Sequence, residues 1–392
     1  MSLRNVVAGL RYGWLVLGIT LLLFCLLESA LSLAFYVDDR LTYKFPDTRY
    51  LADTYDHAPW AIDYYAEQAS IGMKWEPYVY WRGSAHRGRF INIDDRGIRA
   101  TTSAVSTAAA VKIFMFGGST MWGTGARDEF TIPSMLTREL ARKGVDAAVT
   151  NFGQTGYVSN QERITLELEL QQGHRPDLVI FYDGINDLAS AWQQGVAGRP
   201  QNEGNRVREF NLSSKQRLGD RARSVLLDVA LGLSARRFAQ HLVPRGSARA
   251  DAVAPAPATN DRLPQQVVQT YMSNVAAVRL LGERCGFGSL FYWQPTILDK
   301  PHLTDYEKPY RIQMARMEPL FRQTYDLIRQ GPYHKTYGLR DLSLMLVDTS
   351  APLFVDYYHF GETGNELVAR LMVGDVLTEL GGRSSRRAEP VC

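Results

Sequence analysis

Hydrophobic positions fall into three regimes along the chain. Residues 14–37, WLVLGITLLLFCLLESALSLAFYV, form an apolar run broken only by Glu28 and a few small polar residues. About 20 residues of helix cross a bilayer, so this run is long enough to span one. From Val111 the pattern changes to short apolar runs separated by amphipathic stretches. VKIFMF, AAVTNF, DLVIFY, SLFYWQ and LMLVD read as five strands, and IPSMLTRELARKG as a helix closed by Gly144. NQERITLELELQQG reads as a second helix, with Ser159 and Glu162 forming a capping box. Strands separated by helices imply crossover connections and a parallel sheet covered on both faces, with ligands bound at the strand ends.

The third regime lies between about residues 190 and 265. It holds polar QQGVAGRPQNEGN, the basic amphipathic KQRLGDRARSVLLDVALGLSARRFAQHLV and low-complexity RGSARADAVAPAPATND. The last is too poor in apolar residues to order itself. The basic stretch suits either a surface helix beside the site or an anionic membrane surface. The division expected is an anchor at 1–37, an aromatic-rich extension at 38–105, a catalytic domain at 106–385 with the 190–265 insertion, and a tail at 386–392. TTSAVSTAAA links the extension to the domain.

Charge orients the anchor. Arg4 and Arg11 precede the apolar run and Asp38 and Asp39 follow it, which favours a cytoplasmic N-terminus, an inner-membrane anchor and a periplasmic or extracytoplasmic remainder. Cleavage as a signal peptide near Ser32 and Ala34 is the rival, and it exports the same portion. Bulky Phe24 before Cys25 argues against a lipoprotein. Net charge is only +3 and no basic run interleaves with aromatics, so no nucleic-acid partner is expected. The three cysteines make no disulfide framework, although Cys285 and Cys392 could pair. Seven scattered histidines show no zinc spacing, so no metal and no cofactor are expected. In the extension, Trp75, Tyr78, Tyr80 and Trp81 either pack a short β-structure onto the domain or stack on sugar rings.

Candidate chemistry sits at four strand ends. IFMFGGSTMWG delivers Ser119 from a strand through two glycines that allow a tight turn, though such turns also occur without chemistry. A serine nucleophile needs a base, and a histidine base needs a carboxylate to fix its tautomer. DYYH supplies Asp356 and His359 just ahead of a predicted helix. NFGQTGY offers backbone N–H groups at Gly153 and Gly156, and YDGINDLA offers Gly184 and the amide of Asn186; both could hold an oxyanion. Asp187, Thr120 and Trp122 either serve this site or pack locally, and His86, His302 and His334 read as surface histidines.

In these blocks the chain resembles the SGNH/GDSL hydrolase family. FGGSTMWG is similar to its serine block, NFGQTGY to its glycine block, GIND to its Gly-x-Asn-Asp block and DYYH to its Asp-x-x-His block, over roughly residues 110–380. The resemblance implies a three-layer α/β/α, flavodoxin-like fold. It makes Ser119 the nucleophile and an oxyanion donor, Gly156 and Asn186 the other donors, His359 the base and Asp356 its orienter. One departure stands: the family's Asp before the serine is Gly118 here. Membrane-anchored relatives with segments like WQPTILDKPHLTDYEK resemble those of bacterial surface-polysaccharide pathways, which implies an ester, most simply O-acetyl, on a glycan. Hydrolysis and O-acetyl transfer use the same triad, and a glycan-binding scaffold beside polysaccharide-assembly partners is the non-catalytic alternative.

Overall fold

The computed structural model describes residues 3–41, 47–102, 110–214, 234 and 260–383. The basic stretch 215–243, the low-complexity segment 245–261 and the tail 386–392 expected from the sequence lie wholly or almost wholly outside them. The chain divides into two units, Met1–Pro46 with Gly204–Val253 and Asp47–Glu203 with Ala254–Cys392.

In the first unit, Leu3–Leu41 is one helix. Its segment Val7–Val37 spans 31 residues at a mean hydropathy of 2.2 and is long and apolar enough to cross a membrane. Most of the leucines in that segment are exposed.

The second unit begins with the extension. Two short helical turns, Arg49–Leu51 and Asp53–Tyr55, lead into the helix Trp60–Ser70. Strands β1 (Met73–Glu76) and β2 (Tyr80–Gly83) form an antiparallel hairpin, and β3 (His86–Arg87) pairs with β4 (Asn92–Ile93). The expectation of a short β-structure packed on the domain is therefore met for Trp81, whose indole donates to the Thr155 carbonyl at 2.8 Å. It is not met for Trp75 and Tyr78, which are 66% and 75% exposed.

The central sheet runs in the order β6 (Ala147–Asn151), β5 (Val111–Gly117), β7 (Leu178–Asp183), β8 (Gly288–Trp293), β9 (Leu339–Asp341), and all neighbours are parallel. Counting these strands in chain order gives 2-1-3-4-5, the doubly wound order expected of a flavodoxin-like sheet. The middle strand β7 is buried along its whole length, which is why its sequence reads as a continuous apolar run. Phe152, Phe116, Phe181 and Phe291 stack side by side at centroid spacings of 4.9–5.4 Å, tying four neighbouring elements together near the strand ends. The helices Ile132–Arg142 and Glu362–Arg383 pack together, and Leu263–Cys285 packs with Ser159–Gln171, Ile185–Gln194 and Glu318–Gln330.

Three expectations need correction or addition. The fifth strand is Leu339–Asp341, whereas the first three residues of the run LMLVD belong to a 3-10 turn, Ser343–Leu346. The turn buries Leu346 but leaves Leu344 exposed, so that run has no second sheet face to fill. The capping box is also different: Ser159 is already helical and its hydroxyl donates to buried Asp187 at 2.6 Å, while Gln161 accepts from the Val158 N–H. Cys285 is disulfide-bonded and Cys25 is free.

Candidate active site

The end of β5 sets the serine. Gly117 and Gly118 lead into a single helical turn, Ser119–Trp122, which closes at Gly123 with φ of 102°. Gly118 has to be small, because a Cβ there would collide with the Asn186 side-chain nitrogen. Any larger residue at position 118 would therefore displace the Asn186 amide.

Ser119 Oγ lies 2.7 Å from His359 Nε2, and His359 Nδ1 lies 2.7 Å from Asp356 Oδ2. The three side chains come from opposite ends of the domain and are all more than nine-tenths buried. Asp356 Oδ1 accepts the N–H groups of Tyr358 and His359 at 3.0 and 2.9 Å. Burial pushes the Asp356 carboxyl up, but His359, its backbone N–H and the Arg49 guanidinium outweigh it and hold the group at about 2. It is therefore an anion at neutral pH and can stabilise an imidazolium. A hydroxyl, an imidazole and a carboxylate hydrogen-bonded in that order can activate the hydroxyl as a nucleophile.

The Asn186 side chain lies against Gly118, the residue just before the serine. Asn186 sits in the first turn of Ile185–Gln194, and Gly184 before it takes φ of 125°, where a Cβ would strike the Trp293 ring. Gly156 adopts φ of 77°, with Trp81 and Gln201 against its open side. Gly153 does not present its N–H to the cleft as expected. That group donates to Asn151 Oδ1 at 2.9 Å, and the missing side chain makes room for the Met121–Trp122 backbone.

The surroundings of the serine come from the extension. Fully buried Arg99 donates to the carbonyls of Trp122, Gly123 and Ala126, at 3.0, 2.8 and 2.6 Å, and stacks 4.3 Å over the Trp122 ring. Tyr64 and Tyr55 bond the carbonyls of Gly123 and Gly125. Trp122 thus packs locally, and Thr120 is held by Gln294 at 3.3 Å. Asp187 accepts from Ser159 and anchors the neighbouring helix. None of Arg49, Tyr55, Tyr64 or Arg99 is part of a motif whose spacing could have singled it out. His86 pairs with Glu67, His334 faces the Leu339 carbonyl and His302 is exposed, so none joins the site. Among the described residues no group of three or more His, Cys, Asp or Glu could hold a metal.

The model of the GDSL-like Lipase/Acylhydrolase family matches residues 115–277. The match supports a serine esterase of the SGNH type. It includes Ser119, Gly156 and Asn186 and ends before Asp356 and His359. No curated protein matches the chain significantly. Among solved structures, the acetyl xylan esterase AlAXEase is 16% identical, with 68% of this chain and 100% of that one covered at a TM-score of 0.34. A lipase/acylhydrolase from Enterococcus faecalis is 14% identical, covering 71% and 100% at 0.36. A Clostridium thermocellum family 3 carbohydrate esterase is 12% identical, covering 70% and 98% at 0.35. These scores are too low for any of the three to bear on substrate or mechanism.

Proposed function

We propose that this SGNH-type enzyme is a membrane-anchored serine esterase that removes O-acetyl or similar small ester groups from a polysaccharide outside the cytoplasmic membrane. The observation that carries the chemistry is the hydrogen-bonded chain from Ser119 through His359 to Asp356. Ser119 Oγ attacks the ester carbonyl carbon while its proton passes to His359 Nε2, and Asp356 stabilises the imidazolium. The oxyanion is held by the N–H groups of Ser119 and Gly156 and by the Asn186 amide. His359 then protonates the departing sugar hydroxyl, leaving an acyl-serine. Water, deprotonated by His359, attacks that acyl group, and the carboxylic acid leaves as Ser119 recovers its proton.

Two features support a glycan substrate and an exported site. Trp75 stacks on Tyr80 at 5.5 Å and is largely exposed together with Tyr78, on the hairpin that Trp81 fastens beside Gly156. Flat exposed aromatics near a site suit the apolar faces of sugar rings. The helix Leu3–Leu41, with arginines before its apolar run and aspartates after it, serves as a single-pass inner-membrane anchor with the enzyme on the periplasmic side. Polysaccharide-assembly proteins are the partners such a placement implies.

The test is acetate release from O-acetylated oligosaccharides by the full chain in detergent, with an unacetylated, isotopically heavy oligosaccharide present as competing acceptor. Acetate released by wild type, abolished in Ser119→Ala and weakened in Trp75→Ala, is the expected result. Acetyl appearing on the heavy acceptor would make the protein an O-acetyltransferase with the same acyl-serine. Neither product, on protein that binds the oligosaccharide, would leave a glycan-binding scaffold.

A further inference from the structure

Arg49 reaches the triad from the first turn of the extension. Its guanidinium forks onto Asp47, with Nη2 at 2.6 Å and Nε at 3.0 Å, and its Nη1 donates to Asp356 Oδ2 at 3.3 Å. That oxygen is the one that accepts from His359 Nδ1. Asp356 Oδ1 is already filled by two backbone N–H groups, so the guanidinium and the imidazole share a single oxygen. Arg49 is itself fixed, since its Cζ lies 4.9 Å over the Tyr65 ring and Tyr65 is buried against Tyr55.

We propose that Arg49 is a positioning residue of the triad: it holds Asp356 in the rotamer facing His359 and sets how tightly that carboxylate holds the imidazolium. The proposal rests on the esterase reading above and adds to it a role for the segment that follows the membrane helix. Before proton transfer Asp47, Arg49, Asp356 and His359 carry one net negative charge, and once His359 is protonated they sum to zero. The other titratable groups that interact with Arg49 or Asp356 include the phenols of Tyr55, Tyr64, Tyr65, Tyr306 and Tyr358, all of which burial pushes up and keeps neutral. The balance around the imidazole is therefore set by two carboxylates and one guanidinium.

This gives two variants opposite signs. In Arg49→Gln the carboxylates of Asp47 and Asp356 lose the cation they share, the imidazolium is favoured, and the acid limb of kcat/KM moves to higher pH by roughly half a unit to one unit. Arg49→Lys keeps the charge and returns the limb, with only part of the rate recovered because the planar fork is lost. In Asp47→Asn the guanidinium is left with Asp356 alone, and the limb moves to lower pH.

The experiment measures kcat/KM for 4-nitrophenyl acetate against pH on the full chain in detergent, for wild type, these three variants and Ser119→Ala. Opposite displacement of the limb in Arg49→Gln and Asp47→Asn, with Arg49→Lys near wild type, is the expected outcome. If Arg49→Gln does not fold, Asp47→Asn and Arg49→Lys carry the same test. Limbs that coincide in all variants, whether or not rates fall, would overturn the proposal and reduce Arg49 to a structural brace. Full activity in Ser119→Ala would instead overturn the esterase reading, and this proposal with it.

Discussion

Lys300 and Glu307 form a fully buried ion pair, 2.5 Å apart, whose carboxylate also accepts the backbone N–H groups of Leu353 and Phe354 at 3.1 and 3.2 Å. Lys300 in turn donates to the Ala351 carbonyl at 2.6 Å, and Tyr306 to the Val355 carbonyl at 2.8 Å. The segment DKPHLTDYEK thus clamps the backbone just ahead of Asp356 and His359. Removing one member leaves a buried charge alone, at a cost of about 3–5 kcal/mol. Lys300→Met is expected to lower stability by that order in denaturant titration. Glu307→Gln should also slow the proposed ester cleavage, since the amides of Leu353 and Phe354 lose their carboxylate just ahead of Asp356 and His359.

Gly118 and Asn186 meet without room for one more carbon. Gly118→Ala is expected to push the Asn186 amide away from the oxyanion position proposed for it, lowering kcat by up to roughly a hundredfold to a thousandfold with KM little changed. Asn186→Ala should do the same. If Gly118→Ala retained wild-type kcat while Asn186→Ala did not, the contact would be looser than its geometry implies.

At the start of the Asn186 helix lies a cluster of three buried carboxyls. Burial pushes Asp183 up to about 7 and Asp187 up to about 6, and raises Glu162 as well. Asp183 and Glu162 face one another as two buried carboxyls that share a hydrogen bond, and Tyr271 donates to Asp183 Oδ2 at 3.2 Å. A carboxyl raised on folding binds a proton the unfolded chain has released, so its favourable contribution is complete below the ordinary carboxylate range. It is lost as pH climbs through the folded value. Asp183→Asn cannot ionise, so its melting temperature relative to wild type should be higher at about pH 8 than at about pH 5. An equal difference at both values would mean that Asp183 titrates as it does in the unfolded chain.

The parts of the site that the sequence made legible are those built locally. Ser119 and Asn186 lie within three residues of a strand end and Gly156 lies five beyond one, so an apolar run followed by small and polar residues was enough to mark them. Asp356 and His359 sit within one loop, and a two-residue spacing shows as a motif. Arg49 and Arg99 act across hundreds or tens of residues through single guanidinium groups, and nothing in their neighbours' spacing marks them. The last strand was misplaced because it is three residues long and contains arginine and aspartate, whereas the more apolar LMLVD nearby is a turn. The four-strand remainder was legible because buried parallel strands need continuous apolar runs.

The most direct test of the central claim is covalent. The full chain in detergent is treated with a fluorophosphonate and its intact mass compared for wild type, Ser119→Ala and His359→Ala. A single adduct on wild type, none on Ser119→Ala and much slower labelling of His359→Ala is the predicted result. A folded wild-type protein that takes up no fluorophosphonate, or a Ser119→Ala protein labelled as fast as wild type, would contradict it.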